Sequence, residues 1–268
     1  MKRFCAELLS VSLWSPGLEG WAASQAVLAG REPYVWRDST LAAPTILPPN
    51  ERRRAGEVVR LALNVAQGAA EGSGMAPETL RCVFGSANGD GPVMGSILGA
   101  LAQAAPGSGH IVSPTQFHNS VHNAAAAYWS IATGNTQPAT CIACHDFTWA
   151  SAFLHAMLEV DAGAPVLLCV YDHPLPPAYA RKRSILAPFG VGLVLVPYGG
   201  GGFARVTAVH ETDTAEHVAP ETESLAVLAN GNPAAQSLRL LQHLARRTSG
   251  RCDAPYFDGR LQLEVSPL

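Results

Sequence analysis

The residues best able to do chemistry lie together in Cys141-Ile142-Ala143-Cys144-His145-Asp146. Two thiols spaced C-x-x-C and followed by histidine match the string for covalent haem attachment, in which the thiols meet the vinyl groups and the imidazole becomes an axial ligand. The same pair could serve redox exchange or zinc. Haem attachment requires export, and the N-terminal MKRFCAELLSVSLWSPG offers no small-residue cleavage site, with Glu7 interrupting its apolar run. The string also starts inside a strand-like run, Ala139–Ala143, and not on a loop or helix that could wrap a porphyrin. No cofactor and no metal is therefore expected there. A second cluster, FHNSVHN, offers His118 and His122 four apart, a spacing that could share a helix face and hold a metal. No Glu stands between them and no third ligand is in sight, so metal is not expected here either. Around Asn119, capping and turn chemistry competes with ligand binding.

Both clusters belong to a chain of 268 residues that is 48% hydrophobic and only 15% charged, where about 25% charged is ordinary. That length and composition fit one large domain with ample core, alone or with an appendage. The 25 Gly and 20 Pro are dispersed between apolar runs, which argues against disorder or a collagen-like repeat. A formal charge of −3 provides no basic footprint for nucleic acid. No run reaches the roughly 18 apolar residues of a membrane span, so the expectation is a soluble, cytoplasmic protein. Most of the six cysteines (Cys5, Cys82, Cys141, Cys144, Cys169, Cys252) sit in apolar strand-like runs. In a reducing compartment they read as small core hydrophobes.

The elements that must position these residues follow from periodicity. Phe4–Ser12 reads as a strand and Gly20–Leu28 as a short helix; a Pro-rich surface stretch, Arg31–Pro49, then leads to Asn50 as a helix N-cap. The helix after it carries Val58, Leu61, Ala62, Val65 and Ala69 at helical spacing and ends at Gly72 and Gly74, its RRR run forming a solvated face. Leu80–Ser86 is a strand entering SANGDG, a turn that lacks the glycine and lysine pattern of a phosphate loop. Helices are expected over Pro92–Leu101, Ser120–Ala132 and Phe147–Val160, with Asp146 as N-cap of the last. Strands are expected over Ala139–Ala143 and Pro165–Tyr171. Gly190–Pro197 and Phe203–His210 read as an antiparallel hairpin around Gly199–Gly202. Thr212–Glu223 is acidic and loop-like, before a helix, Pro233–Arg246, and a strand, Arg260–Val265. Alternating strands and helices, with strands apolar on both faces, argue for a mainly parallel sheet covered on both sides.

The segments SPTQFHNSVHNAAAAYWSIATG, QPATCIACHDFTWASAFLHAM and APVLLCVYD, in this order, resemble the N-terminal half of a β-ketoacyl synthase. The likeness extends through PGLEGW, the Arg52–Glu71 helix, the Phe84–Gly91 strand and turn, and Gly190–Pro197, so it covers about residues 4–197. PPNERRR and FHNSVHNAAAAYWSIATG resemble members restricted to that half, found in aryl-polyene and related polyketide or fatty-acid gene clusters. The resemblance implies a thiolase-like half: a mixed, mainly parallel five-stranded sheet with helices on both faces, plus a small C-terminal helix–strand addition. It implies a ketosynthase-like domain over residues 1–210, with 211–268 as an extension packed on it.

A condensing enzyme needs a cysteine thiolate at a helix N-terminus and two histidines that stabilise the enolate and the thioester oxyanion. Counting back from the Ala164–Tyr171 strand puts the family's cysteine at His145, and counting forward from Pro138 puts it at Asp146. Cys144 is early by one residue, which on a helical turn redirects a side chain by roughly 100°. A buried thiol at a strand end is the plainer account of it. His210, His217 and His243 match neither histidine motif of the family. No catalytic residue is therefore assigned; Cys144, His145 and Asp146 are candidates at the elbow position. The resemblance further implies that Gln116, Phe117, His118, Ser120 and His122 line an acyl tunnel near a two-fold axis. It implies that Ala139, Thr140, Cys141, Ile142 and Ala143 form a strand meeting its counterpart across a dimer. The expected protein is a non-condensing, chain-length-factor-like subunit that pairs with a complete ketosynthase, or with itself, and works with acyl carrier protein. The alternative is a stand-alone acyltransferase or decarboxylase using Cys144.

Overall fold

The computed structural model describes residues 2–104, 112–212 and 223–268. The chain opens with β1 (Phe4–Ser15), the two-residue β2 (Leu18–Glu19), α1 (Trp21–Leu28), α2 (Pro49–Arg54) and α3 (Glu57–Ser73). The middle contains β3 (Arg81–Gly85), α4 (Gly91–Gln103), α5 (Pro114–Ser120), α6 (Ala124–Thr133), β4 (Ala139–Ile142), α7 (Thr148–Asp161) and β5 (Val166–Asp172). It closes with α8 (Pro177–Ala180), β6 (Phe189–Val196), β7 (Ala204–Glu211), α9 (Glu223–Gly231), α10 (Leu238–Arg246), β8 (Gly250–Tyr256) and β9 (Gly259–Pro267). None of the described helices is long and apolar enough to cross a membrane.

Among the described residues nine strands make one mixed sheet, ordered β4-β3-β5-β6-β1-β7-β9-β8, with β2 paired to β1. The expectation of five strands was too low. β3 runs parallel to β4 and to β5, and β6 runs antiparallel to both β5 and β1. Four of the first five strands in that order therefore share one direction, and β7, β9 and β8 extend the sheet as antiparallel strands. Alternate residues of β5 feed two cores: Val166, Leu168 and Val170 face one, Leu167, Cys169 and Tyr171 the other. The first core is covered by α7, α9 and α10 and by Leu28 of α1, the second by α3 and α6. This is a helix–sheet–helix sandwich. α3 approaches β6 closely because Gly190 and Gly192 leave room; a Cβ on Gly192 would overlap the Val65 carbonyl.

Tertiary hydrogen bonds redraw several expected elements. β6 and β7 are not a hairpin, because β1 lies between them and pairs with both. The connection crosses β1 at Glu7 and Leu8, where a Cβ on Gly202 would overlap the β1 backbone. The buried Glu7 carboxylate accepts the Gly199, Gly201 and Gly202 N–H groups at 3.0, 3.1 and 3.2 Å. Gly199 and Gly201 have positive φ there (83° and 84°), which a side chain would resist. The helix expected to start at Asn50 is two helices, α2 with Pro48 as N-cap and α3 beginning at Glu57. At that break Asn119 Nδ2 donates to the Arg54 carbonyl (2.9 Å) and Arg60 Nη2 to the Arg52 carbonyl (3.1 Å). The helix expected over Ser120–Ala132 begins only at Ala124, as α6, and the residues before it form a separate helix, α5, that ends at Ser120. Pro233–Arg246 resolves into a 3₁₀ turn and α10, and β8 and α9 were not expected.

Candidate functional site

Ser86 follows β3, Cys144–Asp146 follow β4, and Asp172 ends β5. These are the C-terminal ends of three parallel strands, the side of an α/β sheet where ligands bind. From β4 the chain turns sharply through a 3₁₀ turn, His145–Phe147, into α7. The apex is His145, which holds φ 52°, a left-handed conformation uncommon for a residue with a side chain. Cys144 precedes it with φ −133° and ψ 40°, outside both the helical and the extended regions, and is half-buried. The Cys144 N–H donates to Thr148 Oγ1 (3.0 Å), whose hydroxyl donates to the His145 carbonyl (2.7 Å). That buried threonine fixes the turn, and Phe147, not Asp146, is the N-cap of α7.

His145 and Asp146 project outward, and Arg183 holds both. Its Nη1 donates to Asp146 Oδ1 (2.6 Å) and lies 2.9 Å from His145 Nε2, while Nε donates to Asn88 Oδ1 (3.3 Å). His145 Nδ1 stands 3.1 Å from Asp146 Oδ2. Behind them the Asp172 carboxylate is fully buried, accepting the Ser86 hydroxyl (3.1 Å) and the Ala87 N–H (2.8 Å). Burial pushes the Asp172 carboxyl up to about 7, against those hydrogen bonds and the Arg183 charge, which hold it down. Phe147 packs on Phe257 at the β8–β9 turn (5.1 Å between ring centroids), and Phe257 on Tyr256. His210 continues this row edge-on to Tyr256, its Nε2 buried without a partner among the described residues. His217 lies outside the described residues.

The other predicted positions are dispersed. Gln116 Nε2 donates to Ser96 Oγ (2.9 Å), tying α5 to α4, and the Ser120 hydroxyl donates to the Phe117 carbonyl (2.8 Å). Phe117 is 66% exposed. The His118 ring stands edge-on to Tyr128, whereas His122 Nε2 reaches the Ser86 carbonyl (2.9 Å), so the two do not share a ligand. Among the described residues no group of three His, Cys, Asp or Glu side chains is placed to hold a metal. Ala139–Ile142 form the edge strand β4, while Ala143 falls just beyond it. Burial pushes the Cys82 and Cys252 thiols up to about 12 and raises Cys141 and Cys169, which act as apolar filling. Arg183 and Asp172 escaped the sequence analysis: one sits in a basic run, the other closes an apolar strand, and only the fold brings them to the elbow.

The strand–elbow–helix arrangement coincides with a match of residues 21–255 to the family described as β-ketoacyl synthase, N-terminal domain. The chain belongs to that family. No curated protein matches its sequence. Among solved structures it is similar to a chain of the complex between the ketosynthase ApeO and its chain length factor ApeC from Xenorhabdus doucetiae. That similarity has a TM-score of 0.72 at 19% identity, covering 97% of this chain and 98% of the other. It is also similar to a chain of the ishigamide ketosynthase/chain length factor (TM-score 0.69, 16% identity, 98% of each chain). A β-ketoacyl synthase from Burkholderia phymatum STM815 matches over the whole of both chains with a TM-score of 0.68 and 12% identity. At these identities the likeness establishes a thiolase-like fold shared by this β-ketoacyl synthase domain.

Proposed function

We propose that this chain is a non-condensing, chain-length-factor-like subunit that pairs with a complete β-ketoacyl synthase in fatty-acid, aryl-polyene or polyketide biosynthesis. One observation carries the reading: the apex of the elbow, where the family's nucleophile is expected from the Ala164–Tyr171 strand, is occupied by His145, turned outward onto Arg183 and Asp146. An imidazole there cannot form the acyl thioester that condensation requires. Similarity to a chain of a ketosynthase–chain length factor complex supports the pairing. So does the exposed edge of β4, whose unpaired backbone groups can continue a sheet into a partner. In this reading residues 1–210 are the ketosynthase-like domain and 211–268 an extension packed on it. Gln116, Phe117, His118, Ser120 and His122 would border the partner's acyl tunnel, and the pair would take acyl groups from acyl carrier protein in the cytoplasm.

Co-expression with a complete ketosynthase and its carrier protein tests this. The expected result is a one-to-one complex in which condensation occurs and product length changes when Phe117 is replaced by Ala or Trp. Condensation by this chain alone would overturn the reading. So would a complete ketosynthase with unchanged products whether or not the chain is present.

A further inference from the structure

The tip of the β8–β9 hairpin leans on the elbow. Tyr256 pairs with Gly259, which leaves a two-residue loop, Phe257-Asp258. Phe257 holds φ 50° at the first position of that loop, where a positive φ is glycine's place. Its ring is 57% exposed, so burial alone does not account for a phenylalanine there. The ring packs instead on Phe147 of the elbow's 3₁₀ turn (5.1 Å between centroids) and on Tyr256 (4.8 Å). Behind the tip the hairpin is firmly seated. Arg260 Nη2 donates to Glu211 Oε2 (2.8 Å), and a Cβ on Gly259 would overlap the Glu211 carbonyl.

The residue under the tip is Cys144. Its neighbours His145 and Asp146 leave 68% and 53% of their side chains exposed, yet Cys144 is half-buried. β8 packs on the 3₁₀ turn that follows Cys144. Burial, and then the neighbouring Cys144 thiol, push the Tyr256 hydroxyl up, so the two side chains lie close. Elsewhere on the turn Gln236 Nε2 donates to the Asp146 carbonyl (3.0 Å), so two parts of the C-terminal region hold the elbow. Strained residues persist where surrounding contacts over-determine them, as at clamps, and both His145 and Phe257 carry such strain. We propose that the β8–β9 tip is a fixed lid, an autoinhibitory contact in which Tyr256 and Phe257 close the elbow over Cys144 and keep acyl thioesters from its thiol. The lid rests on these contacts alone; its use, keeping a non-condensing subunit from drawing acyl groups away from its partner, rests on the proposed function. Accessibility of the thiol is measured without a partner, so the lid can fail while the pairing holds, and the reverse.

Alkylation with iodoacetamide at about pH 8, resolved by peptide mass spectrometry, tests the lid on the full chain. Cys144 in the folded wild type should react about tenfold more slowly than in the urea-unfolded chain. Tyr256→Ala should speed that reaction about fivefold, with half-buried Cys5 on β1 as an unchanged internal reference. Phe257→Gly, which suits the loop conformation, should speed it about threefold while melting no lower than the wild type. It keeps the test decisive if Tyr256→Ala does not fold. Wild-type Cys144 reacting as fast as in the unfolded chain, or at an unchanged rate in Phe257→Gly, would overturn the lid.

Discussion

His145 holds a backbone conformation that costs an L-residue about 1–2 kcal/mol. Its polar contacts offset little of this, because the side chain is 68% exposed and surface ion pairs contribute about 0–1 kcal/mol. His145→Gly should therefore leave stability unchanged or raise it by up to about 1 kcal/mol in denaturant unfolding, while the β-branched His145→Val should lower it by about 1–2 kcal/mol. Asp172 makes a pH prediction. Its folded pKa of about 7 lies above the ordinary carboxylate value, so the native state holds a proton that the unfolded chain releases. Stability should fall as pH rises from about 4 to 7, and Asp172→Asn should flatten that slope. Glu7 works in the opposite sense. The Gly199 N–H, then those of Gly202 and Gly201, and Arg205 lower its pKa against burial, which raises it. The stability it contributes is present above the ordinary carboxylate value and lost as pH falls through the lowered folded one. Glu7→Gln should cost about 2–3 kcal/mol at neutral pH, as loss of a charged acceptor does. At this scale Cys144, His145 and Asp146 were legible from their side-chain types. Arg183 and Asp172 were not, because their role depends on distant residues meeting.

The elements were legible wherever burial imposed a period. β5 alternates between two cores and α3 keeps one apolar stripe, so both appear close to the segments expected. Breaks and pairings were less legible, because they depend on partners far along the chain. The Arg52 and Arg54 carbonyls are claimed by Arg60 and Asn119, which ends α2 early; β1 inserts between two strands that their glycine turn made look like a hairpin. The edge strand makes a prediction of its own. The Pro138 and Ile142 carbonyls accept the N–H groups of Cys82 in β3 and of Ser86 just after it, so the backbone groups of Ala139 and Cys141 point away from the sheet. Cys141→Pro should remove an outward donor while sparing β3 pairing. Gel filtration with light scattering should show the variant folded and no longer associated with a partner; an intact complex would mean that the edge is not used.

For the whole molecule, composition already pointed to one large layered domain. Low charge and long apolar strands leave little choice but to bury a sheet on both faces, and α3, α6, α7 and α10 do so. Of the strands beyond the expected five, β7 and β9 were read as strands over Phe203–His210 and Arg260–Val265 but not as part of this sheet, while β2 and β8 were not read as strands at all. The proposed role rests on the chemistry of the elbow. The elbow presents an outward imidazole, and the nearest thiol lies one residue before the apex. Intact-mass measurement after incubation with an acyl thioester tests this directly. No acyl adduct should form, in wild type or in Cys144→Ser alike. A stable adduct on wild type that disappears in Cys144→Ser would contradict it and make the chain an acyltransferase in its own right.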